Sequence, residues 1–402
     1  MVNSNSKTII CALALLALAA STSTFSNRFS INQVPINISR VHPAAIYARA
    51  HTKYGVHIPD YITLAARSGN PDVADSVFAN PYLTDVTYLS PIKVGNDELL
   101  VSFDTGSSDF WVKTSATPYA GSRVYNPSTG ILLPNYYWHV TYADGTAVGG
   151  TVYKDEVMVG NIRCSNQAIE IADSLIASEM VTKYVTDGIM GFGFLELNKV
   201  QPIPQLTFFE NVKATLDIPV FAAYLRHLTP GSFDFGYIDP HKYTGQISYI
   251  GVDRSQGFWN ISLDGFSVGS VYSVFYPFYV ILDTCTSLLL LEDYIIGRYY
   301  THITTAYYAY EHGGWVFDCR EDIPSFSLKV GAYEAVVPPE YIRYTHLGGN
   351  VCFGGIQRSL HPGYNILGTT FLKTQFGQSS PHRERARRED IPEYRTGAEH
   401  DT

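Results

Sequence analysis

The chain is short of charge and of sulfur. Only 16% of its 402 residues are charged, against 46% hydrophobic. A chain with that much apolar material can build a large core, which excludes a disordered protein. Its charges sum to −9, which argues against nucleic acid as the main partner. The five cysteines form no CxxC pair and no His/Cys cluster, so no metal and no cofactor is expected. Long apolar runs are also scarce. The longest, "TIICALALLALAAS" after Lys7, is too short for a comfortable membrane span.

That run, with a lysine before it and small residues after it, has the form of a secretory signal. A membrane anchor is the alternative for the same residues. Export predicts an oxidising compartment. Cys11 would leave with the signal. Cys319 and Cys352 share a strand- and turn-rich C-terminal stretch and form a plausible disulfide, while Cys164 and Cys285 remain without an assigned state.

What is abundant points to strands. Thirty Tyr, 32 Gly and 21 Pro favour strands and turns over helices, and 402 residues suit two lobes. Residues 27–75 stand apart: "RVHPAAIYARAHTKYGVHIPDYITLAARSGN" is basic, His-rich and partly helical, which suits a detachable segment covering an acidic cleft. An ordinary N-terminal subdomain is the alternative. From residue 85 the pattern is short and β-rich, and Asp144-Gly145 between two strand-like runs signals a hairpin. "PIPQLTFFENVKATL" is one of few helical patterns. The last stretch, "QSSPHRERARREDIPEYRTGAEHDT", is dense in charge and predicts a disordered tail.

The body also repeats itself. "VSFDTGSSDFWV" and "VILDTCTSLLLL" each place an Asp-Thr pair after an apolar strand, and each is followed about 80 residues on by an apolar-apolar-Gly step, "DGIMGFG" and "YNILGTT". Two copies of a half-site suggest pseudo-two-fold lobes. If Asp104 and Asp283 meet between the lobes, both cannot ionise easily, and their pKa values separate. The ionised member can act as general base on a water, and the protonated member can donate to a carbonyl oxygen. That chemistry suits direct attack of water on a peptide bond.

These motifs, with "TYADGT", "GSFDFGYID" and "NILGTTFLK", resemble the pepsin-like aspartic proteases, most of all the secreted fungal ones, over residues 30–376. The resemblance implies an all-β, bilobal fold with the cleft between the lobes. It implies a signal at 1–20, a propeptide at 21–75, an N-terminal lobe with its flap at 76–255, a C-terminal lobe at 256–376 and a charged tail at 377–402. Asp104 and Asp283 would be the catalytic pair. Thr105 and Thr284 would cross-bond the two loops, with Gly106 beside them, and Ser107 and Thr286 would donate to the outer carboxylate oxygens. Tyr142, Asp144 and Gly145 would form the flap over substrate, and Trp111, seven residues after Asp104, would prop Tyr142. Residues 189–191 and 366–368 would brace the loops. Lys53, in "HTKYG", would pair with the catalytic carboxylates until acidification, and Cys319–Cys352 would be the C-lobe disulfide.

The implied product is a secreted monomeric zymogen, extracellular or vacuolar, that cuts peptides and proteins in acid and binds its own propeptide. The alternative is an inactive peptide-binding protein on the same scaffold. Asn260-Ile261-Ser262 fits a glycan acceptor; Asn37-Ile38-Ser39 would leave with the propeptide.

Three departures from the family pattern stand out. Cys285 replaces a Gly close under the carboxylates, where a side chain is expected to crowd the partner loop or the substrate. It reads as a tolerated residue with a reduced rate, as a disabled site that still binds peptides, or as an error in the gene model. Thr369 replaces the usual Asp after "ILG". Beyond "FLK" the family's last apolar strands give way to the charged tail, which is expected to leave sheet neighbours unpaired.

Overall fold

A computed structural model describes residues 8–9, 27–34, 42–68, 88–118, 120–141, 147–176, 186–227, 229–245 and 247–375. Two eight-stranded sheets dominate it. The first is built around the strands Leu89–Val94, Asp97–Asp104 and Ala147–Val159, the second around Asn260–Val268 and Tyr272–Leu282.

The two sheets repeat one arrangement. Gly188–Gly191 runs parallel to Asp97–Asp104 and antiparallel to Phe110–Val112. Ile366–Leu367 runs parallel to Tyr272–Leu282 and antiparallel to Leu289–Leu291. A short strand is thus inserted between the two arms of each Asp-Thr loop. The sequence explains why these strands can lie inside. Leu99, Val101 and Phe103, and likewise Val280, Ile281 and Leu282, are buried, each large side chain contributing about 1.5–3 kcal/mol on leaving water. The first strand ends at Asp104 and the second just before Asp283, so each sheet delivers a carboxylate to the same place.

The turn between Leu89–Val94 and Asp97–Asp104 has two residues, and its first, Gly95, sits at φ 56°, a conformation that favours glycine. The strands Ile131–Thr141 and Ala147–Val159 pair antiparallel up to Thr141 opposite Ala147, giving the hairpin expected around Asp144-Gly145. Residues 142–146 themselves, with Tyr142, Asp144 and Gly145, lie outside the described residues, as do residues 69–87 and the tail at 376–402. The helical pattern near residue 208 forms the helix Phe208–Val212, capped by the Thr207 hydroxyl, which accepts from the Glu210 N–H at 3.3 Å.

Residues 42–68 form two helices, Pro43–Lys53 and Asp60–Ser68. Their apolar faces, including Ile46, Tyr47, Ile58 and Ile62, form one buried cluster with Leu288, Leu290, Val316, Phe353 and Ile366 of the second sheet region. The strand Phe29–Asn32 pairs antiparallel with Ser232–Phe235. The segment read as detachable is therefore held at 29–32 and again through its two helices. Cys319 and Cys352 are joined by a disulfide, and Cys164 and Cys285 are free thiols. Among the described residues, no helix is long and apolar enough to cross a membrane, and no group of acidic, His and Cys side chains could hold a metal ion.

Candidate active site

The two Asp-Thr loops meet tip to tip. The Thr105 N–H donates to Thr284 Oγ1 at 3.1 Å, and the Thr284 N–H donates to Thr105 Oγ1 at 3.0 Å. Each hydroxyl also donates across the junction, Thr105 Oγ1 to the Leu282 carbonyl at 2.8 Å and Thr284 Oγ1 to the Phe103 carbonyl at 2.6 Å. These four bonds cross between loops 179 residues apart in sequence and lie fully buried. Buried hydrogen bonds of this kind are costly to break singly, because the abandoned partner has no water to turn to.

The carboxylates above this junction are held in similar ways, with one more donor on the second side. Asp104 accepts from the Gly106 N–H at 2.9 Å and the Ser107 hydroxyl at 2.5 Å. Asp283 accepts from the Cys285 N–H at 2.8 Å, the Thr286 N–H at 3.2 Å and the Thr286 hydroxyl at 2.6 Å. Behind each loop a glycine closes the brace: the Gly191 N–H donates to the Asp109 carbonyl, and the Gly368 N–H to the Leu288 carbonyl. Neither position has room for a side chain. A Cβ on Gly191 would stand 2.5 Å from the Ser108 backbone, and one on Gly368 2.3 Å from the Thr286 carbonyl oxygen.

Between the two carboxylates stands Lys53. Its Nζ is 2.6 Å from Asp104 Oδ1 and 2.7 Å from Asp283 Oδ2. The Tyr54 hydroxyl donates to Asp283 Oδ2 at 2.8 Å, and its ring packs on Phe258 and Tyr364. Burial pushes the Asp104 carboxyl above its ordinary value, with Lys53 opposing and Asp283 adding to the rise. Burial also acts to raise Asp283, but Lys53 and the hydroxyls of Thr286 and Tyr54 outweigh it and hold that carboxyl well below the usual range. Burial acts to lower Lys53, and the two carboxylates overcome it and raise the ammonium above its ordinary value.

Cys285 does not displace its loop. Its N–H keeps the bond to Asp283 that Gly106 makes to Asp104, and its sulfur lies 3.6 Å from the Phe103 carbonyl oxygen, within reach of a weak S–H bond. The expected crowding of the partner loop becomes a contact across the junction. Burial, then Asp104, pushes the thiol well above its ordinary pKa, so it is held as SH and is a poor nucleophile. Thr369 is buried, its N–H donates to the Thr286 carbonyl, and its hydroxyl has no partner.

Trp111 stands on the strand Phe110–Val112 and stacks on Trp138, with centroids 6.3 Å apart; Trp138 in turn donates its indole N–H to the Ile171 carbonyl at 2.8 Å. Asn260 opens the strand Asn260–Val268 and is half-buried.

Sequence reasoning missed several residues here. Tyr54 lies in a motif valued only for its lysine. Trp138 lies in the strand before the hairpin, where sequence reasoning assigned it no role. More hidden is a buried acid pair beneath the first loop. Asn198 Nδ2 lies 3.1 Å from Asp109 Oδ1, 2.9 Å from Glu170 Oε1 and 3.2 Å from the Ser108 carbonyl oxygen, and the Lys199 N–H donates to Asp109 at 2.6 Å. Burial pushes Asp109 up to about 7, and burial followed by Asp109 pushes Glu170 well above its ordinary value. The only sequence signal was an acid five residues past Asp104.

Comparison with known proteins gives the family of the chain. The eukaryotic aspartyl protease family matches residues 87–382. The chain is 43% identical over 377 residues to penicillopepsin-1 of Talaromyces stipitatus, covering 92% of this chain and 95% of that one. It is 42% identical over 372 residues to aspergillopepsin-1 of Aspergillus clavatus, covering 90% and 93%. It is 42% identical over 382 residues to aspergillopepsin-1 of Aspergillus oryzae, covering 94% and 96%. The chain belongs to the eukaryotic aspartyl protease family, on the all-β, bilobal pepsin-like scaffold.

Proposed function

We propose that this aspartic-type endopeptidase is made as a secreted zymogen that works in acid on peptides and proteins, with Asp104 and Asp283 as its catalytic pair and residues 21–75 as its propeptide. The observation that carries the reading is Lys53 Nζ within 2.9 Å of oxygens on both aspartates. An ammonium there balances two carboxylates that otherwise could not both ionise, and it occupies the space a reacting water needs.

Once Lys53 leaves, the pair shares a proton. The charge then rests better on Asp283, which keeps three donors, than on Asp104, which keeps two. Asp283 takes a proton from a water held between the carboxyls, and Asp104 gives its proton to the carbonyl oxygen of the scissile peptide. The collapse of the resulting gem-diol then returns a proton to the departing amine. No covalent intermediate on the protein is needed.

Cys285 keeps the inactive binding protein in view as the second reading, since it alters the cleft floor. Its backbone bond to Asp283 and its sulfur contact with Phe103 favour turnover. Asn260 is proposed as a glycan site, and the signal at 1–20 as the export device. The test is to secrete the full chain, drop the pH, and read the new N-terminus together with hydrolysis of a protein substrate. Self-processing near residue 75 with turnover supports the enzyme. Binding of a statine-type peptide inhibitor with no turnover supports the inactive binder.

A further inference from the structure

The segment that carries Lys53 is also rich in histidine, and two of its histidines lie near histidines of the body. His42 caps the helix Pro43–Lys53: its Nδ1 accepts the Ala44 N–H at 3.2 Å, and its ring lies 6.4 Å from that of His312 at 27°. His51 is 1% exposed. Its Nε2 donates to the Arg358 carbonyl at 3.1 Å, beside the Tyr47 hydroxyl, which donates to the same oxygen at 2.7 Å. Within electrostatic reach is His361, whose Nδ1 is buried without a partner and whose ring stacks on Tyr364 at 3.9 Å. Tyr364 packs on Tyr54, the neighbour of Lys53.

We propose that His42 and His51 are proton sensors that undock residues 42–68 from the cleft on acidification, each acting against a histidine of the body. The proposal rests on the autoinhibitory role given above to Lys53. Three physical changes follow protonation. A cationic His42 has no lone pair to accept the Ala44 N–H, and it places positive charge at a helix N-terminus, where the dipole opposes it. A cationic His51 is a charge in a closed site whose hydrogen-bonded neighbour offers one shared carbonyl. A cationic His42 or His51 also faces the ring of a body histidine, His312 or His361, rather than an anion. The other ionisable groups around His51 are Arg49 and Lys53 on its own helix, Arg358 paired with Asp293 at 2.6 Å, and Tyr47 with the phenols of Tyr61 and Tyr308 nearby. Among the described residues, no carboxylate figures among the groups that shift His42 or His51, and Asp293 nearby is already paired with Arg358.

The direction in pH is set by linkage. Burial, then His312, lowers His42 to about 4, and burial, with His361 adding, lowers His51 to about 3. In the released segment both return to about 6.5. The docked form is therefore favoured fully above pH about 6.5. It loses up to about tenfold in docking equilibrium per pH unit per histidine as pH falls towards 4. Asp283 cannot trigger release in that window, because Lys53 and its hydroxyl partners hold its carboxyl well below the usual range.

The test uses the full chain with His42→Asn and His51→Gln together. Asn caps a helix well, and the Gln amide still donates to the Arg358 carbonyl, but neither takes up a proton. A fluorescent statine-type peptide inhibitor, present in excess to prevent processing, reports cleft opening as pH is lowered from 7.5 to 3. The expected result is a closed cleft at pH 7 in both proteins, with the opening midpoint of the variant about one pH unit or more below wild type. One-to-one inhibitor binding at pH 3 checks that the variant is folded. His312→Asn with His361→Gln, which leave the segment unaltered, should move the midpoint the same way by less. Equal midpoints in wild type and both variants overturn the sensor and leave autoinhibition standing. A wild-type cleft already open at pH 7 overturns autoinhibition, and the sensor with it.

Discussion

The two Asp-Thr loops make the same cross-bonds and differ at one residue position that matters, Gly106 against Cys285. At Gly106 a Cβ would lie 2.5 Å from Lys53 Nζ and 2.7 Å from Asp283 Cγ. At the matching position in the second loop, Cys285 carries a Cβ and a sulfur and keeps its backbone bond. The pseudo-two-fold is strict where the loops bond to each other and loose at the cleft floor. The first loop leaves no space above it, whereas the second turns its side chain towards the Phe103 carbonyl. The departure at 285 therefore falls on the side of the junction that can absorb it.

The comparison can be broken most severely at the carboxylates. Asp104→Asn and Asp283→Asn should each lower kcat by about 10³-fold or more, since either change removes the shared proton; steady-state hydrolysis of a peptide by processed enzyme reads this. Next is Gly106→Ala against Cys285→Ala. The first must move Asp283 or its loop, and a misplacement near 1 Å costs about 100-fold. The second should leave kcat/KM within about threefold. Equal losses at the two positions contradict the asymmetry.

A smaller pair of changes tests where the symmetry is strict. Thr105→Val and Thr284→Val each strand an N–H and a carbonyl of the opposite loop, so each should cost about 2–4 kcal/mol in denaturant unfolding. The two costs should be alike, and the double variant should lose less than their sum. A clear difference between the single variants would mean that the cross-bonds are not equivalent.

The first loop also carries a burden the second lacks, the acids Asp109 and Glu170. Burial, with Asp104 adding, pushes Asp109 up to about 7. The folded chain thus keeps a proton that the unfolded chain releases near 4. Stability falls as pH rises from about 4 to 7, by as much as about 4 kcal/mol over three units. Asp109→Asn keeps an oxygen for the Lys199 N–H and should flatten that fall, as read by denaturant unfolding at pH 5 and 7.5. An unchanged slope would mean the carboxyl is not protonated in the fold. The smallest effect is expected at Thr369→Val, within about 0.5 kcal/mol, because its hydroxyl has no partner to lose.

Much of this was legible in the sequence because the fold is made twice. The repeated Asp-Thr loop and the repeated apolar-Gly step announce two similar halves, and those four stretches are the ones brought together. Lys53 could be read because it stands in a short local motif. What could not be read depends on contacts between distant stretches. Asn198 joins Asp109 and Glu170 across separations of 89 and 28 residues, and no local pattern signals that. The histidine contacts share this property, since His42 and His312 are brought together only when the helices dock. Cys285 was expected to crowd its surroundings, and sequence could not reveal the direction its sulfur takes.

The central claim, one proton held jointly by two aspartates from two halves, is tested most directly by the pH dependence of kcat/KM for the enzyme freed of residues 1–75. The account predicts a bell with two apparent pKa values several units apart, with the rising limb below the ordinary carboxylate range. A single ionisation, or a rate that keeps rising towards neutral pH, would contradict it.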